Sequence, residues 1–175
     1  MIYGLTQLGF VHTLISLVAV FAGIFALVRD KEISPANTVG KLYVWTTVLT
    51  CLTGFGIFQH GGFGKPHALG VLTLLVLAGV YVANNTALLG RWSRYAAVVG
   101  MSLTFMFHWI PAITETTTRL PLGAPLLPNA EAPELQVVAG VLGLLFLIGA
   151  GLQVRRIRAG AGAAASTTPV GTALS

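Results

Sequence analysis

Five long apolar runs dominate the chain, and short polar stretches separate them. The runs cover about residues 5–28, 39–58, 67–89, 95–113 and 135–154. Each reaches or approaches the roughly 20 residues that an α-helix needs to cross the hydrocarbon core of a bilayer. They lack the apolar and polar alternation of a membrane β-barrel, and lipid offers no hydrogen bonds to an unpaired backbone. The pattern therefore predicts an all-α integral membrane protein with five transmembrane helices.

The connections between the runs predict how these helices pack. The first three are short, which favours a four-helix antiparallel bundle with a peripheral fifth helix. The fourth connection, residues 114–134, contains four prolines and predicts a long outer loop. Residues 159–175 consist mainly of Ala, Gly, Ser and Thr, which is typical of a flexible cytoplasmic tail. Residues 1–158 are then a single transmembrane domain.

Basic residues predict the orientation of the chain, because short loops that are rich in Lys and Arg remain in the cytoplasm. Eight of the ten basic residues flank the first connection, fill the third connection or follow the last helix: Arg29, Lys31, Lys41, Arg91, Arg94, Arg155, Arg156 and Arg158. Only Lys65 and Arg119 lie on the opposite side. This asymmetry predicts an N-terminus outside the cytoplasm and a C-terminus inside. The expected location is the bacterial inner membrane.

The composition excludes a soluble domain and gives no support to nucleic-acid binding. Hydrophobic residues make up 55% of the 175 residues, and the mean hydropathy is +0.83. The net charge of +5 arises from basic residues dispersed at helix ends, where the topology already requires them. No basic residue precedes the first run, so we expect no cleavable signal peptide and a mature chain that starts at Met1. The single Cys51 is expected to be a small packing residue.

Four histidines occur in the chain, and the predicted topology places all of them in the outer half of the membrane. His60 and His67 lie at the outer ends of the second and third helices. His108 lies about one to two turns below the outer end of the fourth helix, and His12 lies about two turns below that of the first. Neutral imidazole ligates iron, copper and zinc. The four side chains are therefore the predicted ligands of haem b or of a transition metal ion.

A structural role is the alternative for each histidine. His60 and His67 bracket a polar turn and can be solvated there, and His108 precedes Trp109 in an interfacial segment where its ring can bind a backbone carbonyl. His12 is the deepest of the four. It has the strongest need for a partner, because an ionisable side chain inside a membrane helix is costly without one.

Other polar residues are weaker candidates. Glu115 follows His108 by seven residues and shares its face if the fourth helix continues past Pro111, but an interfacial ion pair with Arg119 is the expected role. Threonines at 46, 47, 50 and 53 are expected to make contacts between helices rather than to line a transport path. Asn84 and Asn85 are expected to pair with Arg91 or to cap the third helix.

A resemblance to a known family is carried by residues 12–58, which read HTLISLVAVFAGIFALVRDKEISPANTVGKLYVWTTVLTCLTGFGIF. This segment resembles uncharacterised bacterial integral membrane proteins that share a domain of unknown function. In that family a His opens one helix, and a basic turn leads to an H-x-x-G-x-x-Y pattern that opens the next. His12, Gly40 and Tyr43 match this pattern, whereas Asn37 replaces the second His.

The resemblance implies a compact bacterial helical bundle that is similar to small b-type cytochromes. The stretch FHWIPAITETTTRLPLGAP, residues 107–125, looks like a second signature of such a family. No phosphate-binding loop, zinc-protease helix, nucleophile elbow or dinucleotide fingerprint occurs in the sequence. The sequence therefore gives no indication of a hydrolase, and catalytic residues stay unknown.

Three classes of function are open at this point. The leading hypothesis is a protein that holds haem or a metal between its first four helices and passes electrons between quinol and an acceptor outside. The alternative is a non-catalytic accessory subunit of a larger membrane complex, for which the small residues Gly140, Gly143, Gly149 and Gly151 of the fifth helix provide a packing face. A transporter or channel is disfavoured, because the helices contain no charged residue for a coupling ion.

Overall fold

The computed structural model describes residues 6–58 and 62–166, with side chains as far as Ala161. The described part is helical and contains no strand, which confirms the predicted all-α class. Its elements are α1 (Gln7–Asp30), α2 (Thr38–Gly54), α3 (Lys65–Asn85), a 3₁₀ turn (Gly90–Trp92), α4 (Ser93–Arg119) and α5 (Pro133–Ser166). The predicted chain start at Met1 and the tail from residue 167 onward lie outside the described residues.

Four helical segments are long and apolar enough to cross a membrane: Gln7–Asp30, Lys65–Asn85, Gly90–Arg119 and Pro133–Ala161. The remaining helix, α2, has 17 residues, which is at the short end of the range for a spanning helix. Large apolar side chains such as Phe21, Trp45 and Leu75 are exposed on the outside of the helices. A surface of this kind matches lipid as the surrounding solvent.

Polar side chains fix the first residues of two helices. The Thr6 hydroxyl accepts a hydrogen bond from the backbone N–H of Gly9 at 3.0 Å, and α1 follows. The Asn37 side chain accepts one from the backbone N–H of Gly40 at 2.8 Å, and α2 follows. Such caps satisfy backbone N–H groups that have no partner inside the helix. Asn37, which replaces the second His of the family pattern, therefore has a structural role as the cap of α2.

The predicted outer loop at residues 114–134 is wrong over its first part, because α4 continues through Pro111 to Arg119. Three threonine hydroxyls in this segment donate to backbone carbonyls of the preceding turn: Thr114 to Ile110, Thr117 to Ile113 and Thr118 to Thr114. The expected ion pair between Glu115 and Arg119 is confirmed. The three bonds satisfy the threonine hydroxyls within α4, and the connection shortens to residues 120–132.

The predicted tail also begins later than expected, because α5 continues to Ser166 rather than ending near residue 154. The extension contains the alanine-rich stretch AGAGAAAS, and alanine has the highest intrinsic helix propensity. Residues 159–166, which are part of the predicted tail, are therefore helical. Two other helix ends shift inward: α2 ends at Gly54 rather than residue 58, and α3 ends at Asn85 rather than residue 89.

Small residues form much of the core. Ala19, Ala22 and Ala26 share one face of α1 and are buried in a cluster with Tyr43 of α2 and Met101 of α4. In this arrangement α1 packs against α2, α2 against α3, α3 against α4 and α4 against α5. Tyr43 and Met101 are both 0% exposed. The polar hydroxyl of Tyr43 is thus fully enclosed by helices and requires a partner there.

Polar contacts attach α5 to the connection between α1 and α2. The side chain of Gln153 accepts from the Ser102 hydroxyl at 2.9 Å and donates to the backbone carbonyl of Lys31 at 3.0 Å. Arg156 donates to the carbonyl of Asp30 at 2.9 Å. The fifth helix is thereby fixed at this end of the molecule, whereas the most apolar stretch of the helix has no buried residue.

Candidate functional site

His12 lies on α1 and contacts α2. Its Nδ1 atom is 3.0 Å from the Thr53 hydroxyl oxygen. The Thr53 hydroxyl donates its single hydrogen to the carbonyl of Leu49 at 2.8 Å, so its oxygen accepts from His12 Nδ1–H. In the neutral ring this leaves Nε2 with a free lone pair. Thr53 therefore fixes the tautomer and the orientation of the His12 ring.

His108 lies on α4 and binds α2 through a second threonine. Its Nε2 atom is 3.0 Å from the Thr47 hydroxyl, and both side chains are buried. The Thr47 hydroxyl also approaches the hydroxyl of Tyr43. Tyr43 in turn lies 2.9 Å from the hydroxyl of Thr104. A continuous chain of polar groups thus connects α2 with α4 inside an apolar core.

The Tyr43 end of this chain has a defined hydrogen-bond direction. Thr104 donates its hydrogen to the carbonyl of Met101 at 2.8 Å, so its oxygen accepts from Tyr43. The contact between Thr47 and His108 fits either direction, and the tautomer in which Nε2–H donates to Thr47 is the one that leaves a lone pair on Nδ1.

His12 and His108 lie within electrostatic range of each other, and Glu115 lies within electrostatic range of His12. Glu115 reaches this position because α4 continues past Pro111 and keeps residues seven apart on one face. We call His12, His108 and their hydroxyl partners Thr47 and Thr53 the histidine pair site.

The other two predicted ligands do not join this site. His67 is the third residue of α3, and its Nδ1 accepts a hydrogen bond from the backbone N–H of Gly64 at 3.2 Å. Its ring packs between Phe58 and Phe63, with centroids 5.1 and 5.2 Å away. His60 lies outside the described residues. Among the residues that the structure describes, no group of three His, Cys, Asp or Glu side chains is arranged to hold a metal ion.

Several residues of the site are less evident from the sequence. The expectation that the α2 threonines make contacts between helices is confirmed for Thr47 and Thr53, but their partners are histidines. Tyr43 appears in the sequence only as a match to a family pattern. Gly54 is not singled out by any motif, yet a Cβ atom there would lie 3.2 Å from Cε1 of His12. Gly54 follows Thr47 by seven residues, or about two helical turns, which places both residues on one face of α2.

Comparisons with known proteins give no family for this chain. No protein-family model matches it, and no curated protein or solved structure is detectably similar. The resemblance of residues 12–58 to bacterial membrane proteins therefore stays a prediction.

Proposed function

We propose that this chain is a bacterial inner-membrane protein that binds a transition metal ion at the histidine pair site and transfers electrons through it. Five transmembrane helices form an antiparallel bundle with a peripheral α5, an external N-terminus and a cytoplasmic C-terminus. In this topology His12 lies near the start of α1 and therefore close to the outer face.

One observation carries the proposal. His12 and His108 come from different helices, and each has one ring nitrogen bound to a threonine hydroxyl of α2. Metal-binding histidines use their second nitrogen in this way, because the hydrogen bond fixes the tautomer and the ring orientation. Two rings of this kind within electrostatic range of each other favour a shared ligand that accepts their remaining lone pairs.

A bare ion fits these residues better than haem b does. The Nε2 atom of His108 is occupied by Thr47, and the ring is 8% exposed with Tyr43 at a centroid distance of 5.9 Å. Nδ1 is the nitrogen nearer the backbone, so a porphyrin bound there would lie against the helix, whereas a single ion needs less space. We therefore favour a metal ion that is held directly by the two imidazoles.

The charge of the surroundings favours copper. Glu115 is the carboxylate within electrostatic range of His12. Desolvating an ion in an apolar interior is costly, and the cost rises with its charge. Imidazole nitrogen is a good copper ligand, and reduced copper carries one positive charge. His12 and His108 would hold the ion, and the Cu(II)/Cu(I) couple would supply one-electron chemistry between quinol in the membrane and an acceptor outside.

Metal analysis combined with spectroscopy tests the proposal. The full chain would be purified in mild detergent, loaded separately with copper, zinc or iron, and washed free of excess ion. We expect stoichiometric retention of copper and a spectrum that changes between the oxidised and reduced states. A chain that retains no metal and shows no chromophore in either state would refute the metal-binding function.

The threonine partners should control metal affinity without being ligands. Thr53→Val removes the acceptor of the His12 Nδ1–H bond while keeping the side-chain shape. We expect the copper dissociation constant to rise about 10- to 100-fold, as for other outer partners of metal ligands. Thr46→Val is the matched control, because the Thr46 hydroxyl binds only carbonyls of its own helix. Equal affinities for the two variants, measured by copper titration, would show that Thr53 does not orient a ligand.

A non-catalytic subunit of a larger complex is the second candidate, and α5 favours it. Its glycines at 140, 143, 149 and 151 have no atom within 4 Å of an added Cβ, so this chain leaves their surroundings open. Small residues let another helix approach closely. Native mass measurement in mild detergent should then give a particle larger than a monomer or homodimer, and a lone monomer would count against this function.

A further inference from the structure

A second site lies beside the connections between α1 and α2 and between α3 and α4. It is a cavity of about 340 Å³ between α2, α3 and α4. A volume of this size falls within the range of ligand-binding pockets. Arg94, near the start of α4, and Ser34, just before α2, lie on its wall. The histidine pair site does not share residues with this cavity.

The lining of the cavity is amphipathic. Val44, Leu77 and Val80 are apolar and lie one or more helical turns inside the helix ends. Asn84 and Arg94 are polar and lie at the end of α3 and the start of α4. An apolar interior with polar groups at one end matches a ligand that has a hydrocarbon part and a polar head.

The polar groups of this wall have unused hydrogen-bond donors. Nη2 of Arg94 binds both carboxylate oxygens of Glu32, at 2.7 and 2.6 Å. Its Nε and Nη1 atoms make no hydrogen bond to the described residues, and the Asn84 amide makes none there either. The expected head group is therefore a hydrogen-bond acceptor with negative charge.

We propose that this cavity binds an anionic phospholipid. The phosphate accepts hydrogen bonds from Arg94 and Asn84, and an acyl chain packs against Val44, Leu77 and Val80. Lipid is the solvent of a membrane-spanning chain, and basic pockets between transmembrane helices recognise anionic head groups. In the proposed topology the site faces the cytoplasmic leaflet. The inference rests on that membrane placement and is independent of metal binding.

Native mass spectrometry of the full chain in detergent tests this site. The protein would be incubated with phosphatidylglycerol or with phosphatidylcholine of the same acyl chains. We expect preferential retention of phosphatidylglycerol, and we expect Arg94→Gln to reduce that preference about tenfold, the usual effect of losing a charge-assisted hydrogen bond. Arg91→Gln is the matched control, because Arg91 belongs to the same connection but packs over the ring of Trp92. It should leave the preference unchanged.

Glu32→Gln separates lipid binding from simple stabilisation by the ion pair. This change frees Arg94 from its carboxylate, so retention of phosphatidylglycerol should rise above that of the unmodified chain. A fall in Glu32→Gln equal to that in Arg94→Gln would overturn the proposal, because only the ion pair would then matter. Equal retention of the two lipids by the unmodified chain would also overturn it, as would displacement of the lipid by millimolar inorganic phosphate. A chain that binds no metal but selects phosphatidylglycerol would leave this inference intact.

Discussion

Replacing His12 or His108 with alanine is expected to abolish metal retention, with the copper dissociation constant raised at least about a hundredfold. Each change removes one of the two imidazoles that supply nitrogen ligands in the proposed site. Loss of an outer hydrogen-bond partner already weakens metal sites by up to about a hundredfold, so loss of a ligand should do more. Metal analysis and redox spectra of the purified variants provide the measurement.

His67→Ala is the matched control for this experiment. His67 is also a buried histidine, at 7% exposure, but its contacts are Gly64, Phe58 and Phe63 rather than the histidine pair site. We expect it to retain metal fully. His12→Asn adds a second control for folding, because its amide can still donate to Thr53 while it lacks the imidazole. Metal loss in His67→Ala equal to that in His12→Ala and His108→Ala, or full retention in His12→Ala, would contradict the assignment.

The fold class could be predicted because it depends on long apolar runs alone. The end of α4 could not, since Pro111 and three threonines in the following turns are individually typical of a loop. The threonine hydroxyls bond to carbonyls of the preceding turn, and Ser/Thr side chains are among the groups that let a membrane helix continue past a proline. The predicted loop therefore begins six residues too early.

The candidate site could also be predicted only in part. The sequence predicts that His12 and His108 lie at similar depths in the membrane, and the structure places them within electrostatic range of each other. Helix rotation cannot be inferred from depth, and it decides which face of each helix a histidine occupies. His67 lies at the first turn of α3 and faces Phe58 and Phe63 instead.

Gly40→Ala is expected to destabilise the protein by at least about 3 kcal/mol, which is a large effect for the addition of one methyl group. A Cβ atom at this position would lie 1.8 Å from the backbone carbonyl oxygen of Ser34. Backbone cannot move aside as a flexible side chain can, so the turn before α2 must shift. The shift would also disturb the Asn37 cap, which accepts from the backbone N–H of Gly40. Thermal unfolding in detergent, followed by circular dichroism, measures the loss.

Gly140→Ala provides the comparison, because no atom lies within 4 Å of a Cβ added in this part of α5. Alanine is the better helix former by about 1 kcal/mol, so this variant should be unchanged or slightly more stable. Similar unfolding temperatures for the Gly40 and Gly140 variants would show that the start of α2 tolerates a side chain. A clearly lower unfolding temperature for the Gly40 variant would show that close backbone packing at the start of α2 requires glycine at this position. The same packing would then position Tyr43, one turn later, for its hydrogen bond to Thr104.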